Sequence, residues 1–237
     1  KNSEKRIPTI HAVVIVLDAE TGEVNAVLEG STLTAIRTGA ASGAAADILA
    51  RENSQVGAII GAGVQGRTQL QAICSVRDLE QVWIYDIHTD NARSLMEDLA
   101  GLDPIPDDIR IADSPRQAVE NADIICTATT SRKPVFDVKD IKPGVHISGV
   151  GSYTPEMIEI PPEVFHRAAV FVGSKEGVLA EAGEIIESIS QGFIENNDLV
   201  ELGEVLDGSK PGRTNPDQIT IFKAEGTIVQ HAAAANL

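Results

Sequence analysis

An α/β fold built on a doubly wound parallel sheet is what this chain predicts, on three observations. From residue 56 onward, short apolar runs alternate with helical stretches, and such alternation demands right-handed crossovers between parallel strands. Gly61-Ala62-Gly63-Val64-Gln65-Gly66 stands between one of those strands and the next helix and matches G-x-G-x-x-G. Asp86 follows Gly66 by 20 residues, at the end of the next apolar run, where a doubly wound dinucleotide fold carries an acid.

Taken in order, residues 10–17 (IHAVVIVL) are continuous, apolar and rich in β-branched side chains, the pattern of a strand covered on both faces. Asp18 to Glu23 is turn chemistry, and residues 24–28 are its hairpin partner. Ser31, Thr32 or Thr34 can cap the following helix, expected over residues 33–50. Gly39, Ala40, Ala41, Gly43, Ala44, Ala45 and Ala46 crowd that helix, so it is expected to pack closely on another backbone. Strands are then expected over residues 56–60, 82–85, 109–112, 123–128, 145–150 and 169–172, with a late one over 219–222. Helices are expected over 64–76, 91–100, 176–190 and 199–206, and after Ser114 as cap with Pro115 at the first position. A closing helix from residue 228 stops in mid-run among alanines, and Lys1 to Arg6 carry no secretory signal pattern. Both ends are therefore expected to be cut, with neighbouring segments missing.

Composition excludes several function classes. The 237 residues carry 19 Lys and Arg against 35 Asp and Glu, a net charge of −16. Nucleic acid and anionic membrane surfaces are poor partners for such a balance. Aromatics at 3% leave little for stacking on bases. No apolar stretch approaches the roughly 18 residues of a membrane span. Two cysteines, Cys74 and Cys126, make no disulfide framework and are expected as buried small hydrophobes in a reducing, cytoplasmic compartment. No metal site is expected.

The glycine segment carries specific physics. Gly61 permits the tight turn, Gly63 lets the backbone approach a pyrophosphate, and Gly66 lets helix and strand pack closely. The free N–H groups and positive dipole end of the helix, at Val64 and Gln65, hold phosphates even in an acidic protein. Asp86 would accept hydrogen bonds from the ribose hydroxyls and repel a 2′-phosphate, favouring NAD (NADH) over NADP. Thr127 and Thr129, at the carboxyl end of a later strand, are a second set of cofactor contacts, the alternative being an ordinary polar loop.

Arg37 stands near the start of the small-residue helix, where a cation opposes the dipole. Its neighbours three and four positions away are Leu33, Thr34, Ala40 and Ala41, none of them acidic. Such an arginine suits a substrate carboxylate, bound by both arms of its fork; the alternatives are a snorkelling side chain or one paired with a distant acid.

Several segments together resemble the ornithine cyclodeaminase/mu-crystallin family: Thr34-Ala35-Ile36-Arg37-Thr38-Gly39-Ala40, the GAGVQG turn, residues 122–129, Leu202-Gly203-Glu204-Val205 and residues 219–223. The resemblance implies a Rossmann domain, residues 51–211, plus a smaller split substrate-binding and dimerisation domain, residues 1–50 and 212–237. It implies an NAD-dependent oxidoreductase or cyclodeaminase acting on a small amino acid or its imine: ornithine or proline, alanine, or a cyclic ketimine. The alternative is a catalytically silent, mu-crystallin-like binder of NAD(P)H and a small ligand. A homodimer is expected. In the family, the arginine matching Arg37 grips the substrate carboxylate; Thr38 is expected among the cofactor contacts. A preceding segment with a substrate-binding arginine and an active-site lysine is expected too.

One departure matters. The cyclodeaminase-like pattern G-x-D-x-P reads Gly151-Ser152-Tyr153-Thr154-Pro155 here, so Tyr153 stands where an acid/base aspartate would. A phenol with a pKa of about 10 is a poor base at neutral pH, which argues against ornithine cyclodeamination. It can still donate a proton to an imine, with Ser152 assisting, or else only pack or touch cofactor. His231 also replaces an aspartate that many members carry. A generic hydroxy-acid dehydrogenase is the weaker reading, because His11, His88, His146, His166 and His231 fall on strand, loop or helix-surface positions.

Overall fold

The structure is a computed structural model that describes residues 11–235. The expectations for Lys1 to Arg6, for Ile10 and for the last two residues lie outside them. Two compact units emerge.

The smaller unit comprises the residues up to Arg37 and those from Gly226 on. Strands β1 (Val13–Leu17) and β2 (Val24–Glu29) pair as an antiparallel hairpin. The expectation of a strand covered on both faces is corrected: among the described residues, Val13, Ile15 and Leu17 on one face of β1 are 67%, 57% and 55% exposed. A continuous apolar run cannot by itself tell one covered face from two. Helix α1 (Gly30–Leu49) starts directly after β2. Its cap is Glu29, whose carboxylate accepts from the N–H groups of Ser31 (2.9 Å) and Thr32 (2.6 Å), not any of the three hydroxyl residues expected. A carboxylate satisfies two orphan N–H groups of the first turn and complements the dipole there.

The larger unit, Thr38–Glu225, holds the sheet. Its elements are β3 (Val56–Ile60), α2 (Val64–Cys74), β4 (Gln81–Tyr85), α3 (Thr89–Leu99), β5 (Ile109–Ile111), α4 (Pro115–Val119), β6 (Ile124–Thr127) and β7 (His146–Gly149). There follow α5 (Pro162–Phe165), β8 (Ala168–Val172), α6 (Lys175–Glu181), α7 (Gly183–Ser190), β9 (Leu199–Glu201), α8 (Leu202–Leu206) and β10 (Ile219–Lys223). Helix α9 (Ile228–Ala235) belongs to the smaller unit. The eight strands lie in the order β5-β4-β3-β6-β7-β10-β8-β9, and every ladder is parallel. Alternate residues feed opposite faces: Ala58 and Ile60 join one core cluster while Ile59 joins the other.

Three expectations differ from the structure. Residues 199–206 are not one helix: Leu199–Glu201 form the edge strand beside β8, and Glu201 then caps α8. The helix expected over 176–190 breaks at Ala182, which is extended (φ −85°, ψ 101°), and the chain then passes close to Met157, where a Cβ on Gly183 would lie 2.0 Å from the carbonyl oxygen. The domain boundaries move outward. β10 is hydrogen-bonded between β7 and β8, so residues 219–223 are sheet, not part of the split domain.

The small residues of α1 serve one crossing. A Cβ on Gly39 would lie 2.8 Å from the Thr68 carbonyl oxygen, and one on Gly43 would lie 3.2 Å from Ala72, so α1 rides directly on the backbone of α2. The end of α1 has no basic last turn. Arg77 supplies the cation instead, donating to the carbonyls of Ala46 (3.1 Å), Asp47 (2.7 Å) and Ala50 (3.1 Å), and Arg213 reaches that of Leu49 (2.6 Å).

His146 opens β7 and is wholly buried. Its ring nitrogens face Thr220 Oγ1 (2.9 Å) and Ser148 Oγ (3.2 Å). Burial, helped by Arg213 and Arg77, pushes its pKa down to about 3. The folded state thus binds this proton less readily than the unfolded chain, whose value is about 6.5. Its contribution to stability is full above pH 6.5 and is lost as pH falls below it. By linkage the loss reaches about 2 kcal/mol at pH 5. Urea unfolding of His146→Gln at pH 7.5 and pH 5 is expected to show a correspondingly smaller drop than the parent. An equal drop would contradict the neutral buried ring.

Candidate functional site

Strand order reverses between β3 and β6, the topological switch point at which open α/β sheets bind ligands beyond the carboxyl ends of their strands. The glycine turn leaves β3 there. Gly61 has φ +97°, and a Cβ on it would lie 2.5 Å from the Ala128 carbonyl oxygen, so only glycine fits between the loops that follow β3 and β6. A Cβ on Gly66 would lie 1.9 Å from the Gly61 carbonyl oxygen. Gly63 is different: nothing stands within 4 Å of its notional Cβ, so the space above it is open. Gly63 caps α2 without a side-chain hydrogen bond, and no acid occupies the first turn. Val64 is exposed, and Gln65 Oε1 is buried with no hydrogen-bond partner among the described residues. The N–H groups of that turn form an anion site.

A cavity of about 560 Å³ opens beside the turn, lined among others by Gly61, Gly63, Asp86, His88 and Thr129. Asp86 Oδ2 accepts from the Ala62 N–H (2.8 Å), and Oδ1 accepts from the His88 N–H (2.8 Å) and Asn91 Nδ2 (3.3 Å). The acid thereby clamps the glycine turn to the start of α3 at the cavity's rim. An open cradle over Gly63, uncapped N–H groups and a rim carboxylate fit a dinucleotide with an unsubstituted ribose 2′-hydroxyl.

Gly61, Gly63, Asp86 and Thr129 are thus brought to one cavity. Thr127 does not line it: its side chain is wholly buried and its hydroxyl donates to Glu159 Oε2 (3.1 Å). Thr129 Oγ1 also donates to Glu159, at Oε1 (2.7 Å), but residue 129 lies beyond the end of β6 and borders the cavity. Thr38 is buried in α1, one residue before the crossing with α2.

The loop after β7 carries Ser152 and Tyr153, which the structure treats oppositely. Tyr153 is 55% exposed and Ser152 is 2% exposed. The Ser152 hydroxyl donates to the Met157 carbonyl (2.8 Å) and accepts from the Gly183 N–H (3.3 Å). Both bonds hold the loop in place.

Reasoning from the sequence missed a buried charged group beneath this loop. Glu159, Glu184 and Lys223 are all 0% exposed. Lys223 Nζ donates to the Ser152 carbonyl (2.8 Å) and lies 3.2 Å from Glu184 Oε1. Glu159 accepts from the Gly151 N–H (2.6 Å) and the Thr129 N–H (2.5 Å). Burial pushes the Glu159 carboxyl upward, the Lys223 ammonium opposes that, and Glu184 adds to it. The signal was faint: three charged residues set in apolar surroundings, in segments far apart in the chain.

In the smaller unit, Arg37 is half-buried and Nη1 donates to Gln230 Oε1 of α9 (2.9 Å). A Cβ on Gly226 would lie 2.4 Å from Arg37 Nη2, so glycine there makes room for the guanidinium. His231 Nε2 faces Thr34 Oγ1 at 3.1 Å, and its Nδ1 lies 3.2 Å from the Thr227 carbonyl. Cys74 and Cys126 are free and buried, and desolvation pushes the Cys74 thiol up to about 12. No helix among the described residues is long and apolar enough to cross a membrane.

Comparison with known proteins agrees with this arrangement. The model of the ornithine cyclodeaminase/mu-crystallin family matches residues 1–237. A Δ1-pyrroline-2-carboxylate reductase of Bacillus cereus is 39% identical over 223 residues, covering 93% of this chain and 68% of that protein. The Δ1-pyrroline-2-carboxylate reductase of Thermococcus litoralis, solved with NADH and L-proline, superposes with a TM-score of 0.95 at 41% identity, covering 99% of this chain and 72% of that one. An archaeal alanine dehydrogenase dimer with bound NAD gives 0.91 at 33% identity, with 99% and 72% covered.

Proposed function

The chain belongs to the ornithine cyclodeaminase/mu-crystallin family and is an NAD-dependent oxidoreductase of imino or amino acids, and from that premise we propose that it reduces Δ1-pyrroline-2-carboxylate to proline with NADH. The observation that carries this reading is the open cradle over Gly63, with uncapped helix N–H groups beneath it and Asp86 at its rim. Similarity to two reductases of that cyclic imine, at 39% and 41% identity, supports the substrate.

NADH, when bound, supplies the hydride that turns the imine carbon into the Cα of an amino acid. This chain's residues bind, orient and move a proton. The N–H groups of Val64 and Gln65 hold the pyrophosphate, and Asp86 takes the ribose hydroxyls. Thr129, which borders the cavity, and Thr38 of α1 contribute further cofactor contacts. Arg37 grips the substrate carboxylate with its fork, held at Nη1 by Gln230. Tyr153, exposed on its loop, donates a proton to the imine nitrogen; a phenol suits that role better than that of a base.

The smaller unit is assigned substrate binding and pairing with a second copy; the exposed Val13, Ile15, Leu17, Val24 and Val27 side chains of its hairpin support a homodimer. Two buried, free thiols suit a reducing cytoplasm.

The test is NADH consumption at 340 nm by the full chain with Δ1-pyrroline-2-carboxylate or with pyruvate plus ammonia, and ammonia release from ornithine with NAD+. The cyclic imine is expected to be consumed with proline as product, at least about 100-fold faster per unit concentration than pyruvate. No absorbance change with the imine, or faster turnover of pyruvate, would overturn the assignment. Asp86→Ser is expected to narrow the preference for NADH over NADPH by at least about 10-fold, since it removes both the ribose acceptor and the charge that repels a 2′-phosphate. An unchanged ratio of kcat/KM values would remove Asp86 from the cofactor site.

A further inference from the structure

We propose that Glu159 is a positioning residue of the reaction: its buried carboxylate locks together the loops that carry Thr129 and Tyr153 and so sets where the phenol stands. This rests on the imine reduction proposed above.

Five donors converge on this one side chain. Oε1 accepts from the Thr129 N–H (2.5 Å) and Thr129 Oγ1 (2.7 Å). Oε2 accepts from Thr127 Oγ1 (3.1 Å), the Gly151 N–H (2.6 Å) and the Ser152 N–H (3.2 Å). Those donors belong to the segments leaving β6 and β7, which are neighbours in the sheet. Gly151 makes the fit close: a Cβ there would lie 2.0 Å from the Thr129 carbonyl oxygen and 2.6 Å from Glu159 Oε1. Lys223 pulls on the same loop through the Ser152 carbonyl.

Only an acceptor-only group fits. A carboxylate offers about four lone-pair positions and no hydrogens, whereas an amide presents two hydrogens on one of its two ends. In Glu159→Gln one end must therefore point N–H at N–H, in a site closed to water, and the loops must part. The residue touches neither cavity nor substrate. Its influence runs through the position of Tyr153, one residue beyond the Ser152 N–H it holds.

That coupling is measurable as a double-mutant cycle. At a temperature where all variants are folded by circular dichroism, Tyr153→Phe and Glu159→Gln are each expected to lower kcat about 30-fold, with KM for NADH within about 5-fold. The double variant is expected to lose no more than about 3-fold beyond the worse single one, because a displaced phenol contributes nothing further. Losses that multiply, or a Glu159→Gln enzyme with parental kcat, would overturn the proposal. Should Glu159→Gln fail to fold, Thr127→Val removes one donor isosterically; a fall in kcat of about 5-fold is expected, and parental kcat would count against the lock. Amide hydrogen exchange gives a readout independent of turnover. Segments 127–131 and 149–153 are expected to exchange at least about 10-fold faster in the Glu159 or Thr127 variant while β3 and β4 stay protected, and unchanged exchange would sink the lock itself. A parent chain that oxidises no NADH with the imine would overturn the functional reading and the catalytic half of this proposal together, leaving exchange to decide whether Glu159 holds the loops.

Discussion

A methyl group at position 63 is expected to weaken NADH binding about 100-fold while costing the fold no more than about 1 kcal/mol. Gly63 has φ −76°, which any L-residue adopts. None of the described residues stands within 4 Å of a Cβ at that position, so Gly63→Ala costs only a slightly poorer helix cap. The open volume above it is where a pyrophosphate must approach the N–H groups of α2, and a methyl carbon keeps it out. Gly61→Ala is the contrast. There φ is +97° and the Ala128 carbonyl oxygen would stand 2.5 Å away, so stability and binding are expected to fall together, by about 2–4 kcal/mol for the fold. Fluorescence titration with NADH and urea unfolding of both variants separate the two cases. Parental affinity in Gly63→Ala would mean that no pyrophosphate lies on this turn.

Arg37→Met is expected to reduce kcat/KM for the cyclic imine about 1000-fold, or about 4 kcal/mol of transition-state binding, with NADH affinity unchanged. Methionine keeps most of the stem's volume and removes the fork. Arg37→Lys is expected to recover little, since an ammonium cannot meet a carboxylate at two points. The structure invests in this guanidinium: Gln230 holds Nη1, and residue 226 must be glycine to leave it space. Steady-state kinetics with imine varied at saturating NADH decides the matter. Full activity in Arg37→Met would assign the carboxylate to another cation.

The cofactor turn was legible because its demands are local. Gly63 and Gly66 answer to dihedral angles and contacts inside one strand–turn–helix unit, Gly61 answers to its φ of +97° as well as to the Ala128 carbonyl from the loop after β6, and Asp86 sits one crossover away. Tyr153 was singled out by its place in a short pattern. Its neighbour Ser152 looked equivalent in sequence, yet the fold turns its hydroxyl toward Met157 and Gly183. Thr127 and Thr129 both give their hydroxyls to Glu159, yet only Thr129, beyond the strand's end, borders the cavity. Glu159 and Lys223 gave only the faint sign of a charge in an apolar run. Their partners lie 7 to 71 residues away in the chain.

Periodicity, glycine spacing and the twenty-residue step to an acid were enough to announce a parallel sheet and a dinucleotide turn in this chain, because each expresses the conformational preference of a few consecutive residues. The threading of β10 between β7 and β8, the capping of α1 by Arg77 and Arg213, and the gathering of five donors around Glu159 came from folding alone. Buried charges and orphan carbonyls must be satisfied by whichever groups the packed strands bring near, and no window of sequence records who those neighbours are.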